Sequence, residues 1–120
     1  MFDFQKLTVY QKAKNFNKSI FGLIKSKSFD NTTIHQLRRA SFSVMLNIAE
    51  GSARFSNKDR RHFMVIARGS AFECAAILEY LQETNEITKD EERKYYNELE
   101  EISKMLFALI RKLEAKQTAY

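Results

Sequence analysis

The chain has no proline and no tryptophan, and its only glycines are Gly22, Gly51 and Gly69. Turn-rich β architectures draw heavily on glycine and proline, so these absences exclude them. Cys74 is the only cysteine, which rules out an internal disulfide and a paired-cysteine zinc site. A reducing compartment is expected. His35 and His62 lie far apart, and neither sits in a HExxH context. Glu50, Glu73 and Glu79 are the carboxylates best placed to reach across helices toward a metal. Yet no Glu is followed three residues later by His, as the di-iron bundle signature requires. No metal or cofactor is expected. Ser41, Ser43 and Ser70 stand outside any GxSxG elbow, and no phosphate-binding glycine loop occurs. No catalytic residue emerges, and an enzyme is not expected. No apolar run approaches the roughly 20 residues of a membrane span. Met1–Lys6 lacks the basic-then-apolar pattern of a secretory leader, so the cytoplasm is the expected compartment.

What the chain does have suits one helical domain over residues 1–120, with 44% hydrophobic and 29% charged residues in 120. Its net charge of +5 is unevenly placed. Residues 1–69 carry 13 Lys/Arg against 4 Asp/Glu, a balance of +9, and residues 70–120 carry 7 against 11, a balance of −4. Such asymmetry fits a polyanionic partner, self-association between unlike surfaces, or simply two solvated faces.

Helical spacing of apolar residues predicts four helices. The first is expected from Phe4 to Lys25, capped by Asp3, with a seam of Leu7, Tyr10, Ala13, Phe16 (or Asn17), Ile20 and Ile24 that Phe21 and Leu23 widen. The second is expected to start with Thr32 or Thr33 as cap, to bury Ile34, Leu37, Ser41, Val44 and Ile48, and to end or kink at Gly51. The third opens at Ser56-Asn57-Lys58-Asp59, which resembles a capping box, and carries Phe63, Ala67, Ser70, Cys74, Ile77 and Leu81. Gly69 inside it costs about 1 kcal/mol against alanine, for which a closely approaching helix is the expected compensation. Cys74 reads as a small core residue. The fourth helix opens with the capping box Thr88-Lys89-Asp90-Glu91 and buries Tyr95, Leu99, Ile102, Leu106, Leu109 and Leu113. Lys112 and Lys116 suit the dipole at its end, and Gln117–Tyr120 is expected to fray. Short connections between amphipathic helices make the expected fold all-α, an antiparallel up-down-up-down bundle.

Two constellations stand out. Asn47-Ile48-Ala49-Glu50-Gly51 places Glu50 too far along the axis to meet Arg39. Its partner is then sought among Arg60, Arg61, Arg68 and Glu73 on the third helix, or in solvent. Asn47 and Glu50 belong either to a polar network that sets helix register or to a ligand site. The second constellation is basic: Arg38, Arg39, Arg54, Lys58, Arg60, Arg61 and Arg68, with His62 nearby. Such groups can neutralise phosphates without reading sequence. Phe55 beside Arg54 can stack on a base, or can staple the start of the third helix.

These residues resemble a known family. The stretches are Phe4-Gln5-Lys6-Leu7-Thr8-Val9-Tyr10-Gln11-Lys12-Ala13, Gln36-Leu37-Arg38-Arg39-Ala40 and Asn47-Ile48-Ala49-Glu50-Gly51. Phe63, Ile66-Ala67-Arg68-Gly69-Ser70 and Glu73 follow. Together they are similar to the four helix bundle proteins, also called 23S ribosomal RNA intervening-sequence proteins. The chain departs from the family pattern at Met45-Leu46, where proline is common, and at Phe72-Glu73-Cys74-Ala75, where leucine-rich residues are usual. The resemblance implies a four-helix bundle in a bacterial protein and a homo-oligomer, with a pentamer favoured. It also implies a structural motif at Asn47, Glu50, Gly51, Gly69, Ser70 and Glu73. A related branch, the accessory proteins of diversity-generating retroelements, associates with reverse transcriptase and nucleic acid. RNA or DNA and a reverse transcriptase are therefore implied partners. No catalytic residues are established for the family, so none carries over.

Overall fold

A computed structural model describes the backbone of residues 1–118 and the side chains of residues 1–115. A single 3-10 turn, Asp3–Lys6, leads into four helices: α1 (Thr8–Ser26), α2 (Asn31–Ser52), α3 (Asn57–Glu83) and α4 (Lys89–Thr118). No strand occurs among the described residues. The pairings that cross the seams set the topology. Asn17 on α1 meets Ser41 on α2, Ser43 on α2 meets Ser70 on α3, Arg68 on α3 meets Phe107 on α4, and Lys12 on α1 meets Glu101 on α4. Each helix therefore runs antiparallel to its neighbours, giving an up-down-up-down bundle of 51 × 27 × 22 Å.

The helix ends show local chemistry at work. Thr88 and Glu91 form the reciprocal capping box, with each backbone N–H donating to the other's side chain at 2.8 and 3.0 Å. Ser56 Oγ accepts from the Asp59 N–H at 3.0 Å and caps α3. α2 is capped by Asp30 rather than Thr32 or Thr33: its carboxylate accepts the Thr33 N–H at 2.7 Å. That bond holds the Asp30 carboxyl below its ordinary value. Asp3 does not cap α1, because a separate turn intervenes in which Gln5 Oε1 accepts the Phe2 N–H at 2.8 Å. α3 ends on Asn85, whose φ of 63° places it in the left-handed region that asparagine tolerates. The expected frayed tail is helical through Thr118, while Ala119, Tyr120 and the Lys116 side chain lie outside the described residues.

The core runs the length of the bundle, and Phe29 and Ile87 close it at the end formed by the α1–α2 and α3–α4 connections. Its composition corrects the expected seams in detail. α1 buries Val9 and Leu23 beside Ala13, Phe16 and Ile20, while Leu7, Tyr10 and Ile24 are only half-buried. Ile34 likewise lies at the edge of the α2 seam, and Ala40 is fully inside. On α3 the buried residues are Met64, Ala67, Ser70, Ala71, Cys74, Leu78 and Leu81, with Phe63 and Ile77 at the margin. On α4 Ile110 replaces Leu109 and Leu113. The reason is geometric. A helix with two neighbours buries a face wider than one a/d stripe. On α3 one edge of that face, Phe63 and Ser70, meets α2, and the other, Ala71 and Ala75, meets α4.

Candidate nucleic-acid interface

The polar motif is a seam device. Ser43 Oγ and Ser70 Oγ lie 2.6 Å apart across α2 and α3, and Asn47 Nδ2 donates to Ser43 O and Ser43 Oγ at 2.8 and 3.0 Å. Arg39 pairs with Glu73 at the same seam and also donates to Gln36. Of the two readings of Asn47, the register-setting network is therefore the one with observed bonds. Glu50 has none of the expected α3 partners; it pairs with Arg54, one turn further along the chain. A further bond was not foreseen as such: Asn17 Nδ2 donates to Ser41 O at 2.7 Å and to Ala13 O at 2.9 Å, tying α1 to α2.

The close-approach role expected of Gly69 belongs to Gly51. α2 ends at Ser52, one residue past Gly51 and close to the expected end, and Gly51 itself does not adopt a left-handed cap conformation. A Cβ at Gly51 would lie 2.9 Å from Phe63 Cβ and 3.0 Å from Met64 Cε, so its small size permits α3 to approach. A Cβ at Gly69 would meet nothing within 4 Å, so no neighbouring helix compensates for this glycine.

The basic residues do not form one patch. Adjacent residues on a helix point about 100° apart, so runs such as Arg38-Arg39 and Arg60-Arg61 divide between faces. Arg38 faces α1, where its guanidinium lies 5.0 Å from the Phe21 ring and 4.9 Å from the Phe42 ring. Arg39 is engaged with Glu73. Arg61 and Arg68 turn toward α4: Arg61 reaches Glu114 at 3.9 Å, and Arg68 lies 4.7 Å from the Phe72 ring and 5.4 Å from the Phe107 ring. Arg54, Lys58 and Arg60 gather at the α2–α3 turn. There Arg54 covers the Phe63 ring at 4.7 Å, and Arg60 Nε donates to Arg54 O at 2.7 Å. Between them Phe55 is 100% exposed, so it staples nothing.

A second basic surface escaped the cluster read from sequence. α1 contains Lys12, Lys14, Lys18 and Lys25 and no acidic residue. Lys12 pairs with Glu101, but Lys14, Lys18 and Lys25 form no ion pair among the described residues. The available signal was the acid-free run, which cluster-spotting around consecutive arginines overlooks.

Several large apolar side chains remain on the outside of α2, α3 and α4, among them Leu46 and Phe72 (each 56% exposed) and Phe107 (50%). Phe72 borders an open groove of about 380 Å³ between α3 and α4 that Ala75, Tyr96 and Lys104 also line. Burial pushes the Cys74 thiol up to about 12, as a core residue would be. Among the described residues no group of three or more His, Cys, Asp or Glu side chains is arranged to hold a metal, and no helix is long and apolar enough to cross a membrane.

A crystal structure of a protein of unknown function from the S23 ribosomal protein family of Bacteroides thetaiotaomicron is similar to this chain. It superposes with a TM-score of 0.79 at 25% identity, over 86% of this chain and 98% of that one. Among curated proteins, none is similar enough to count as a relative. The family model described as 23S rRNA-intervening sequence protein matches residues 5–108. With this bundle, the polar α2–α3 seam and that match across most of its length, the chain belongs to the 23S rRNA-intervening sequence protein family.

Proposed function

We propose that the protein is a non-enzymatic, self-associating helical bundle of the bacterial cytoplasm that binds nucleic acid at the α2–α3 turn. The observation that carries this reading is Phe55, fully exposed on the turn and flanked by Arg54, Lys58 and Arg60. An aromatic ring with no packing role beside several cations suits base stacking combined with phosphate neutralisation. The family description ties these proteins to ribosomal RNA intervening sequences, so RNA is the polyanion to test first.

Self-association rests on the outer apolar residues of α2, α3 and α4. Scattered apolar residues are normal on a monomer, but a set spread over three adjacent helices fits an interface. A head-to-tail ring pairs one face with a different one, and a pentamer is the closure favoured by the family resemblance. The same apolar surface also supports a second reading, docking of a protein partner such as a reverse transcriptase.

The experiment is RNA binding against salt concentration. Affinity falls steeply with salt, and Phe55→Ala with Lys58→Glu weakens binding about tenfold or more while leaving the melting temperature unchanged. Undetectable RNA affinity at low salt sinks the nucleic-acid reading. A monomeric mass by light scattering sinks the ring.

A further inference from the structure

The groove between α1 and α2 has a composition that neither folding nor the α2–α3 turn explains. It is an open trough of about 320 Å³ whose lining includes Lys14, Lys18, Phe21, Arg38 and Phe42 and contains no carboxylate. Phe21 is 46% and Phe42 39% exposed, so neither ring is core. Cations already sit on these rings: Arg38 at 5.0 and 4.9 Å from Phe21 and Phe42, and Lys25 at 4.9 Å from Phe21. Lys14, Lys18, Lys25 and Arg38 form no ion pair among the described residues. Cations without an ion pair also occur elsewhere among the described residues, Lys58, Arg60 and Arg68 among them, but the grooves beside Phe72 and Phe107 are lined by carboxylates, Glu100 and Glu114, where this one has none.

An acid-free groove with exposed rings matches one chemistry in particular. Phosphates supply the missing negative charge, and unstacked bases supply planar faces for the rings and the guanidinium. A duplex keeps its bases stacked on one another and offers the rings nothing. We infer that the α1–α2 groove is a binding track for single-stranded nucleic acid, with Lys14, Lys18, Lys25 and Arg38 on the phosphates and Phe21 and Phe42 against bases. Arg38 precedes Ser52, the last residue of α2, by 14 residues on a helix rising about 1.5 Å per residue, so groove and turn lie about 21 Å apart along α2. One strand can therefore engage both. This extends the nucleic-acid reading above and rests on it, but it names different residues.

The test uses the full chain and a fluorescently labelled uridine homopolymer, with a labelled RNA duplex as second probe. Lys14→Gln with Lys18→Gln removes two cations and lowers the slope of log affinity against log salt by about 1.4 for the single strand. Phe21→Leu with Phe42→Leu keeps apolar side chains, weakens single-strand binding roughly tenfold and leaves duplex binding alone. Binding is read well below the melting temperature of every variant, because Phe21 and Phe42 are each more than half buried and their replacement costs some stability. If groove variants bind as the parent does while Phe55→Ala with Lys58→Glu loses affinity, the groove inference fails and the turn remains the site. If the phenylalanine pair affects neither probe, or both alike, stacking in the groove is wrong. If the parent binds no RNA, both readings fall together.

Discussion

Small residues appear on both sides of α3, and the two sides use them differently. At the inner seam with α2, two small residues, one from each helix, have occupants against them. Gly51 admits Phe63 and Met64, and Ser70 meets Ser43. On the outer side Gly69 faces open space. The contrast teaches that a glycine or serine in a helix signals nothing until its face is known. Where the single chain leaves the residue without a neighbour, a fold-based reason for it is missing, which is one motive for the self-association proposed above.

The strongest way to break the contrast is to fill the inner side. Gly51→Leu forces atoms into space already held by the Phe63 Cβ, and overpacking of this kind costs about 3 kcal/mol even after the gain in helix propensity. Urea unfolding reads it directly; a variant as stable as the parent means that α3 does not approach as closely as described. The hydroxyl pair comes next. Ser43→Ala and Ser70→Ala each lose about 1 kcal/mol, and a double-mutant cycle returns a coupling of similar size. Additive losses show that the two hydroxyls do not bond each other.

The outer side responds with the opposite sign. Gly22→Ala and Gly69→Ala both place a methyl where no atom lies within 4 Å, and each stabilises the isolated chain by about 1 kcal/mol through helix propensity. Gly22 then serves as the reference for Gly69. If Gly69→Ala alone shifts the oligomer toward smaller species, its smallness belongs to an interface between copies. If both behave alike, the outer side of α3 has no such requirement.

The smallest effect is electrostatic. Burial raises the Glu98 carboxyl above its ordinary 4.5, with Lys94 opposing, and its Oε2 is buried without a hydrogen-bond partner. The folded chain thus holds this proton more tightly than the unfolded one, so Glu98 detracts from stability as pH rises through that window. Glu98→Gln leaves stability unchanged below the ordinary value. At neutral pH it raises stability by no more than about 0.5 kcal/mol, allowing for screening of a half-exposed group. Asp30 and Glu91 run the other way. Backbone N–H donors lower both carboxyls, so their contribution is present above the ordinary carboxylate value and is lost as pH falls through the lowered one. Melting curves across the acid range separate the signs.

What could be read from sequence followed from how local each feature is. The Thr88–Glu91 box was legible because both partners lie within four residues. The four helices and their antiparallel order followed from periodicity and short connections. Asp30 was missed because Thr32 and Thr33 look like caps, whereas Thr33 is the residue whose N–H is capped. The shift from Phe63 and Ile77 to Met64 and Leu78 depends on α3 lying between two neighbours, which a single stripe does not encode. The sequence left the Asn47 motif open between a register network and a ligand site, and it did not point to Arg54, just beyond the end of α2, as the partner of Glu50. The basic cluster was legible only as composition. Its division among the α1–α2 groove, the α2–α3 turn and the α3–α4 groove is a matter of angle around each helix axis.

The hydrogen-bonded network of Ser43, Asn47 and Ser70 has a consequence for how this protein can vary. Sliding α3 by one turn, about 5.4 Å, would part Ser43 from Ser70 and leave the buried Ser70 hydroxyl without its partner. The alignment of α2 with α3 is thus keyed from within the seam, and the linker between them is released from that duty. With Ser56 kept as the α3 cap, Ala53–Phe55 can be lengthened, shortened or rewritten while the two helices keep their alignment. A lineage can therefore change what the tip of the bundle presents without rebuilding the bundle beneath it.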